Sequence, residues 1–293
     1  NRRKTFYKPG VYFNGPESLF DISLHPLFNW ADVIHLHWVV KMLDWKKVFA
    51  HKDKAFVWTL HDMNPFTGGE HYKTGYNGEF SKVSKQNIAL KKNAIKGSNL
   101  KVVCPSIWLS ELAKSSEVFK DKEVLVIRNP IDDAVFKPLH TYLHKSDGVP
   151  SIDKKNILFV AENPHDERKG FQLLLKALEN IDPERYRLSV LGNKKFVESI
   201  FPRAFFYGTV HDEEQLVELY NQADLFVIPS LEDNLPNTVS EALLCGTPVI
   251  GMAIGGIKEI VENGIDGVLS ETKEGLKQAI EEGLEKHFVR QLI

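Results

Sequence analysis

The alternation of short β-rich runs with helical segments constrains the fold of this chain more than any other feature. Four such runs occupy the first half: DVIHLHW (32–38), AFVWTLH (55–61), LKVVCPS (100–106) and VLVIRNP (124–130). Six more follow in the second half: NILFVA, RLSVLG, AFFYGTV, DLFVIPS, TPVIGM and GVLS. Nearly continuous apolar strands separated by helices indicate parallel sheets that are covered on both faces. The pattern therefore predicts an α/β fold.

A polar stretch from Ile131 to Lys155 interrupts this rhythm and contains two prolines, which is typical of a linker. We therefore predict two doubly wound, Rossmann-like domains, 1–138 and 139–293, and the length of 293 residues suits that number. The chain does not begin with Met, and its first predicted strand comes only near Ala31. We expect the first domain to lack its first strands. Ligands bind at the carboxyl ends of open α/β sheets, so we expect the two domains to face one cleft.

The charge is distributed unevenly between the two halves. Residues 1–138 carry 21 Lys or Arg against 14 Asp or Glu, a net charge of +7, and residues 139–293 carry 16 against 25, a net charge of −9. A basic first half favours contact with an anionic surface such as the inner face of a membrane, although ordinary solvated faces explain it as well. The spacing of the basic residues does not predict a nucleic-acid site.

Cysteine usage and hydropathy indicate the compartment. The two cysteines, Cys104 and Cys245, both lie in apolar segments, which argues against a disulfide framework or a cysteine metal site and favours a reducing cytoplasm. No run reaches the roughly 18 apolar residues of a membrane-spanning helix. Any membrane contact of the sequence given is therefore expected to be peripheral.

The stretch SLEDNLPNTVSEALLCGTPVIG (230–251) combines a strand end, a turn and a helix. The pattern predicts a helix over Pro236–Leu244, whose amino end would follow the strand and favour an anion such as phosphate by roughly 0.3–1 kcal/mol. The carboxylates of Asp233 and Glu241 could accept hydrogen bonds from hydroxyl groups on either side of a diphosphate. Alternatively, Asp233 caps the helix and Glu241 is a solvated helical residue.

Two cationic residues, Arg168 and Lys169, stand immediately before the amphipathic pattern of a helix predicted over Lys169–Asn180. Their side chains are expected at the same cleft, where charge-assisted contacts to a diphosphate would each contribute roughly 1.5–3 kcal/mol. The alternative is a basic surface loop.

The first half offers histidines at strand ends. His61 follows the second predicted strand and could act at the cleft as a polar or acid–base group, or could be a structural, hydrogen-bonded histidine. His35 and His37 alternate on one strand face, and without a third ligand they indicate packing or substrate-lining groups rather than a metal site. The chain has no G-x-G-x-x-G fingerprint of a redox dinucleotide and no D-x-D pair for a metal.

Six segments together resemble glycosyltransferase family 4, a family of retaining enzymes with the GT-B fold. They are DVIHLHW, VWTLHDMNPFTGGEHY, CPSIWLSELAKSS, VIRNPIDDAVFKP, ERKGFQLLLKAL and the long block from PSLEDNLP to GVLS. The resemblance runs from Ala31 to Ser270, and the last block is its most specific part. Within the family the chain is most similar to transferases of bacterial surface polysaccharide synthesis, which share the HLHW and TLHD segments.

The resemblance implies roles for individual residues. The E-x7-E motif of the family falls on Asp233 and Glu241, which implies that Glu241 holds the nucleotide ribose and Asp233 a hydroxyl of the donor sugar. The amides around Asn237 and Thr238 would bind the phosphate, and Lys169 matches the family's diphosphate-binding lysine.

Other positions depart from the family pattern. The arginine that relatives carry after the preceding strand is absent, since FVAEN occupies that place, and Arg168 is the candidate replacement. Glu232 is a possible substitute for the first acid of the motif. His61 matches the acceptor-side histidine, and Glu70 stands where relatives of this type often have cysteine.

The activity implied by the resemblance is retaining transfer of a hexosyl unit from a UDP- or GDP-sugar to a hydroxyl of a glycan or lipid-linked acceptor. It needs no metal and no cofactor, and it would serve cell-surface polysaccharide synthesis in the cytoplasm, with peripheral contact at the inner membrane surface. Two alternatives remain at this point. The chain could be a nucleotide-sugar epimerase that resembles GT-B enzymes, or a non-catalytic fragment that binds the donor.

Overall fold

A computed structural model of the chain describes residues 6–8, 11–78, 80–140, 154–193 and 203–293. The chain divides into two compact units, Asn1–Arg128 (unit 1) and Asn129–Ile293 (unit 2), and each has its own parallel sheet. All ten strands predicted from the sequence are present.

Unit 1 begins with an antiparallel hairpin of β1 (Phe6–Lys8) and β2 (Val11–Phe13), which the sequence analysis did not predict. Its parallel sheet has the order β3-β4-β5-β6. These strands are β3 (Val33–Leu36), β4 (Ala55–Thr59), β5 (Asn99–Cys104) and β6 (Glu123–Val126). The helices are α1 (Pro26–Trp30), α2 (Trp45–Val48), α3 (Ser81–Ala94) and α4 (Ile107–Ser115), and a 3-10 turn covers Ile22–Leu24.

The core of unit 1 is one hydrophobic cluster between the sheet and its helices. Trp58 of β4 packs against Trp45 of α2 with ring centroids 4.8 Å apart, and Phe49 lies against both Trp58 and Phe56. Among the strands, the central β4 and β5 supply most of the buried apolar side chains of this cluster. At the edge of the sheet, β3 buries fully only Leu36. Unit 1 therefore has a compact centre and an exposed edge.

Unit 2 contains a six-stranded parallel sheet of order β12-β11-β10-β7-β8-β9. The strands are β7 (Lys155–Val160), β8 (Tyr186–Leu191), β9 (Ala204–Gly208), β10 (Leu225–Ile228), β11 (Val249–Met252) and β12 (Gly267–Ser270). The helices are α5 (Phe171–Leu178), α6 (Glu213–Gln222), α7 (Asn237–Leu244) and α8 (Leu276–Glu285). Short 3-10 turns cover Glu167–Lys169, Ile257–Glu259 and Arg290–Leu292.

Alternating residues of the unit 2 strands belong to two separate cores. Leu225 and Val227 join the cluster formed with α5 and α8, whereas Phe226 and Ile228 join the cluster formed with α6 and α7. Because successive side chains of a strand point to opposite faces, helices must cover both faces of this sheet. Unit 2 is thus doubly wound, as predicted.

The predicted linker is partly packed structure. Phe136 is buried in the unit 2 core, and the backbone N–H of Leu139 donates to Asn221 Oδ1 at 2.8 Å. The structural division therefore falls at Arg128 rather than at the predicted boundary after residue 138. Prolines and polar residues suggested a linker, but the apolar side chains between them find partners in unit 2. The remaining part of the predicted linker, residues 141–153, lies outside the described residues.

The two cysteine thiols are free and buried, and burial raises the pKa of Cys104 and of Cys245 to about 12. In the part of the chain that the structure describes, no helix combines the length and the apolar composition that crossing a membrane requires.

Candidate functional site

The strand order of unit 2 reverses at β7, which lies between β8 and β10. β7 and β10 are neighbours in the sheet, and the loops that follow them both begin at its carboxyl edge. This edge is the usual ligand position in open α/β folds. The backbone N–H of Leu231 donates to the carbonyl of Arg168 at 2.7 Å and joins the two connections. Lys169 and Asp233, 64 residues apart in sequence, meet there.

Two cations converge on the carboxylate of Asp233. Lys169 Nζ lies 2.7 Å and Arg168 Nη1 3.3 Å from Asp233 Oδ2, and the Ser230 hydroxyl donates to the same oxygen at 3.3 Å. Asp233 is only 5% exposed, and Arg168 also pairs with Asp166 at 3.3 Å. Charge-assisted bonds of this kind fix the cations at the strand ends. The structure thus brings together three of the residues predicted for the site.

Close backbone approaches hold the turn that carries Asp233. Gly170 has φ +70°, and a Cβ at this position would lie 2.0 Å from the carbonyl oxygen of Pro229. On the other side, a Cβ at Gly255, which has φ +51°, would lie 1.8 Å from the carbonyl oxygen of Asp233. Only glycine combines this left-handed conformation with such contacts. The turn is therefore packed between two glycines and cannot shift far.

Helix α7 begins directly after this turn, with Asn237 and Thr238 as its first two residues and Pro236 before them. No side chain of the described residues caps its amino end. Asn237 Oδ1 accepts a hydrogen bond from Asn129 Nδ2 at 3.0 Å. The amino end of α7 therefore carries its partial positive charge close to the cationic turn, as the sequence predicted.

Glu241, one turn further along α7, has a different environment from Asp233. The Tyr220 hydroxyl donates to Glu241 Oε2 at 2.8 Å. Burial raises the pKa of the Glu241 carboxyl, against the effect of this hydrogen bond, and burial also raises the pKa of Tyr220. Glu241 is thus oriented by Tyr220, which the sequence analysis did not identify, because a tyrosine within an amphipathic helix pattern looks like an ordinary core residue.

In unit 1, His61 follows β4 and contacts His37. His37 Nδ1 and His61 Nε2 are 3.1 Å apart, and the rings stack with centroids 5.4 Å apart. Burial lowers the pKa of His61, and the neighbouring His37 lowers it further, whereas Asp62 opposes the shift. A neutral imidazole can accept a proton, so the chemistry proposed for His61 is available. His35 bonds to Thr59 Oγ1 at 2.9 Å, which suits the packing role.

A second group of polar side chains in unit 1 was not predicted as a group. Asp62 Oδ2 accepts from Trp38 Nε1 at 3.1 Å and lies 2.6 Å from His71 Nδ1. The backbone N–H of Asn64 donates to Asp62 Oδ1 at 2.8 Å, and His71 Nε2 lies 2.9 Å from Asn14 Oδ1. The TLHD and GGEHY segments contain these residues, but their partners could be found only from the fold.

A buried lysine supports the loop that carries this network. Lys91 of α3 donates to the carbonyls of Asn64 and Thr67, and its ammonium group lies 5.3 Å from the Trp45 ring centroid. Burial lowers the pKa of Lys91 to about 7, against the opposing charge of Glu70 and Asp62.

Glu70, in the same loop, is itself buried. Its Oε1 accepts from Ser84 at 3.0 Å, and its Oε2 has no hydrogen-bond partner among the described residues. The described residues contain no group of three or more His, Cys, Asp or Glu side chains arranged to hold a metal ion.

Comparison with known proteins relates the chain to group 1 glycosyltransferases, the coarser part of the resemblance. Residues 154–286 match the family described as "Glycosyl transferases group 1". An uncharacterised 41.2 kDa protein in the cps region of Klebsiella pneumoniae is 23% identical over 92% of this chain and 73% of its own length. A D-inositol 3-phosphate glycosyltransferase of Xylanimonas cellulosilytica is 26% identical over 84% of this chain and 61% of its own length.

Solved structures show the same architecture. Sucrose-phosphate synthase from Thermosynechococcus elongatus superposes with a TM-score of 0.68 at 21% identity, over 90% of this chain and 67% of that chain. Anabaena HepE in complex with UDP and glucose superposes with a TM-score of 0.62 at 17% identity, over 91% of this chain and 73% of that chain. The solved structures give the chain the GT-B fold, and the family match covers residues 154–286.

Proposed function

We propose that this chain, whose residues 154–286 match the group 1 glycosyltransferases, transfers a hexosyl unit from a nucleoside-diphosphate sugar to an acceptor hydroxyl. The observation that carries the proposal is the convergence of Lys169 and Arg168 on Asp233, beside the amino end of α7. Two cations, a helix amino end, the buried carboxylate of Asp233 and the half-buried carboxylate of Glu241 at the carboxyl edge of a parallel sheet suit a sugar diphosphate.

In the proposed donor site, Lys169 and Arg168 neutralise the negative charge that develops on the departing diphosphate. The backbone amides around Asn237 and Thr238, at the amino end of α7, stabilise the same anion with the positive end of the helix dipole. Fixed charges of this kind stabilise a transition state because they need no reorganisation when the bond breaks. The Asp233 carboxylate holds the cations in place and accepts a hydrogen bond from a hydroxyl of the donor sugar.

The remaining part of the donor is proposed to bind further along α7. Glu241 accepts hydrogen bonds from the ribose, and Tyr220 fixes the orientation of that carboxylate. UDP is the first nucleotide to test, because the HepE structures contain UDP, UDP and glucose, or UDP-glucose.

For the chemical step we propose retention of the anomeric configuration without a metal ion, as the family 4 resemblance implies. The bond between the anomeric carbon and the diphosphate oxygen breaks, and the acceptor oxygen bonds to the same face of that carbon. The acceptor proton passes to the departing phosphate oxygen. His61 in unit 1 is proposed to bind the acceptor hydroxyl and orient it.

The biological setting is proposed to be synthesis of a surface polysaccharide, with a glycan or lipid-linked acceptor at the cytoplasmic membrane face. The similarity to a protein from the cps region of Klebsiella pneumoniae supports this setting. The basic charge of the first half, 21 Lys or Arg against 14 Asp or Glu over residues 1–138, is suited to an anionic lipid surface.

The test is incubation with a panel of UDP- and GDP-hexoses, with and without a mixture of glycan acceptors. Transfer predicts that nucleoside diphosphate is released at an appreciable rate only when an acceptor is present, and that NMR of the product shows the donor's anomeric configuration. A donor sugar converted to its epimer without acceptor would contradict the proposal and favour the epimerase. Donor binding without any product would favour a non-catalytic fragment.

A further inference from the structure

Trp38 combines high exposure with a fixed orientation. Trp38 follows β3 in sequence and is 60% exposed, which is unusual for the largest apolar side chain in proteins. The indole Nε1–H donates to Asp62 Oδ2 at 3.1 Å, and the ring lies against His71 with centroids 6.1 Å apart. An exposed indole normally samples several rotamers, whereas this one is held by a hydrogen bond.

The carboxylate that fixes Trp38 is itself fixed. Asp62 also accepts from the backbone of Asn64 at 2.8 Å and lies 2.6 Å from His71 Nδ1, and the second nitrogen of His71 lies 2.9 Å from Asn14 Oδ1. Asp62, Asn64 and His71 are each 7% exposed. Four bonds within unit 1, two of them fully buried, therefore hold the edge of an aromatic ring whose remaining surface is open to solvent.

Trp38 also lines a pocket within unit 1. His37, Lys41, His61, Asp62 and Asn64 line the same pocket. The backbone at Lys41 has φ +64°, a left-handed conformation that is rare outside glycine, and the Ser18 hydroxyl donates to its carbonyl at 2.6 Å. Strain of this kind persists where the surroundings enforce it, and it is concentrated at ligand sites. These polar side chains form what we call the polar rim, and the buried Trp45 and Trp58 also line the pocket. The free space inside holds little more than a water molecule, so the surface open to a larger ligand is the exposed indole of Trp38.

We infer that Trp38 is a stacking platform for a pyranose ring of the acceptor, and that Asp62 and His71 are the positioning residues that keep the indole in place. A pyranose has an apolar face of C–H bonds and an edge of hydroxyl groups, which match the electron-rich indole face and the polar rim. A ring that is already fixed loses little side-chain entropy when the sugar binds. The inference rests on the proposed function, because it names the acceptor as a glycan.

The experiment uses methyl glycosides of glucose, galactose, mannose and N-acetylglucosamine as probes of the whole chain. Saturation-transfer NMR on the wild-type protein should show magnetisation reaching the C–H protons of at least one pyranose ring. Trp38→Ala should weaken that binding about tenfold, and Trp38→Phe should retain part of it because the smaller ring still stacks. Trp30→Ala is the matched control, since Trp30 is 83% exposed and is not among the residues that line this pocket.

Three outcomes would overturn the inference. The first is that none of the four probes binds the wild-type protein. The second is that Trp38→Ala, with an unchanged circular dichroism spectrum and unchanged UDP affinity, binds the probes as tightly as the wild type. The third is that Trp38→Ala removes saturation transfer to the base protons of UDP instead, which would make the indole part of a nucleotide site.

A positioning role for Asp62 has its own readout. Asp62→Asn should weaken sugar binding less than Trp38→Ala does, and the indole N–H signal of Trp38 should move or broaden in the proton–nitrogen spectrum. An unchanged indole signal together with weakened sugar binding would contradict positioning.

Failure of this inference can be distinguished from failure of the proposed function. Failure of UDP-sugar binding and transfer, with sugar binding that still depends on Trp38, would reject the transferase and leave the platform in place. Transfer activity whose acceptor KM is the same in Trp38→Ala and wild type would reject the platform alone. The combined expectation is a raised acceptor KM with an unchanged donor KM.

Discussion

The two parallel sheets bury their strands in different ways. In unit 2, β10 and β11 are buried at every residue, whereas in unit 1 the edge strand β3 fully buries one residue in four and β6 likewise buries one. Unit 2 holds its site on a sheet with an apolar layer on each face. Unit 1 holds its pocket with buried polar groups, above all Lys91 beneath the loop of Asn64 and Thr67. Removal of a polar group should therefore cost stability mainly in unit 1 and should affect donor chemistry mainly in unit 2.

Intrinsic fluorescence can measure this contrast, because all five tryptophans, at positions 30, 38, 45, 58 and 108, belong to unit 1. Tryptophan emission during denaturant unfolding reports unit 1, and nucleotide binding reports unit 2.

The largest effect is expected for Lys91→Met. The substitution removes the buried amine that donates to the carbonyls of Asn64 and Thr67, at about 1–3 kcal/mol for each, so unit 1 should lose about 3–5 kcal/mol of unfolding free energy. Lys92→Met is the control, since the Lys92 side chain is 43% exposed and pairs with Glu117 at 3.4 Å, and it should cost less than about 1 kcal/mol. Equal losses in the two variants would contradict the special role of the buried amine.

The pH dependence of stability sharpens the same prediction. The pKa of Lys91 is about 7 in the folded chain and 10.5 as an ordinary lysine, so the unfolded state binds more protons between these values. The contribution of Lys91 to stability should rise with pH across that window, by up to about 1.4 kcal/mol per pH unit, and be constant below it. The difference between wild type and Lys91→Met, measured by urea unfolding at pH 6, 7.5 and 9, should show this slope. A difference that is flat over this range would exclude the lowered pKa.

Lys169→Met is expected to have a smaller effect in free energy, and to lower catalytic efficiency without changing stability. Loss of the ammonium group should reduce kcat/KM for a UDP-sugar about 10²–10³-fold, because the cation acts mainly as charge develops on the diphosphate. Tryptophan fluorescence unfolding should be unchanged. Lys176→Met, on the exposed side of α5, is the matched control and should keep full activity. Activity within a few-fold of wild type in Lys169→Met would remove Lys169 from the donor site.

Tyr220→Phe should have a more modest effect. It removes the hydrogen bond that orients Glu241, worth about 1 kcal/mol, and UDP affinity measured by calorimetry should fall about fivefold. Tyr207→Phe in β9 controls for the loss of a phenol and should bind UDP normally. If Tyr220→Phe and the wild type bind UDP equally, the ribose assignment of Glu241 loses its support.

The smallest effect is expected for metal removal. Transfer from a UDP-hexose should proceed at the same rate after treatment with EDTA, because the proposal assigns the diphosphate charge to Lys169, Arg168 and the helix amino end. A loss of activity that Mg²⁺ or Mn²⁺ restores would contradict this part of the proposal.

Periodicity predicted the strands and helix α6 well, because buried parallel strands and amphipathic helices leave strong local patterns. It missed the hairpin of β1 and β2, and it described residues 131–139 as linker although Phe136 is buried. The hairpin strands have only three residues each, too few for a clear periodic pattern, whereas Phe136 is buried by contacts with distant parts of unit 2.

The candidate site shows the same limit. The positions of Lys169 and Asp233 at strand ends could be predicted, and the structure joins them. The hydrogen-bond partners of the site could not be predicted, because the bond from Tyr220 to Glu241 spans 21 residues and the bond from Trp38 to Asp62 spans 24. Nothing in the local pattern distinguishes these aromatic residues from ordinary core or surface residues. Sequence thus identified charged groups more readily than their aromatic hydrogen-bond partners.

The 64-residue separation of Lys169 and Asp233 has a consequence for folding kinetics. Their meeting requires β7 and β10 to pair, and two further strands and at least two helices lie between them in sequence. Closing so long a segment is slow compared with forming local helices. During refolding from urea, recovery of UDP affinity should therefore lag behind the return of helical circular dichroism, and the interval between the two would time the pairing of the central strands.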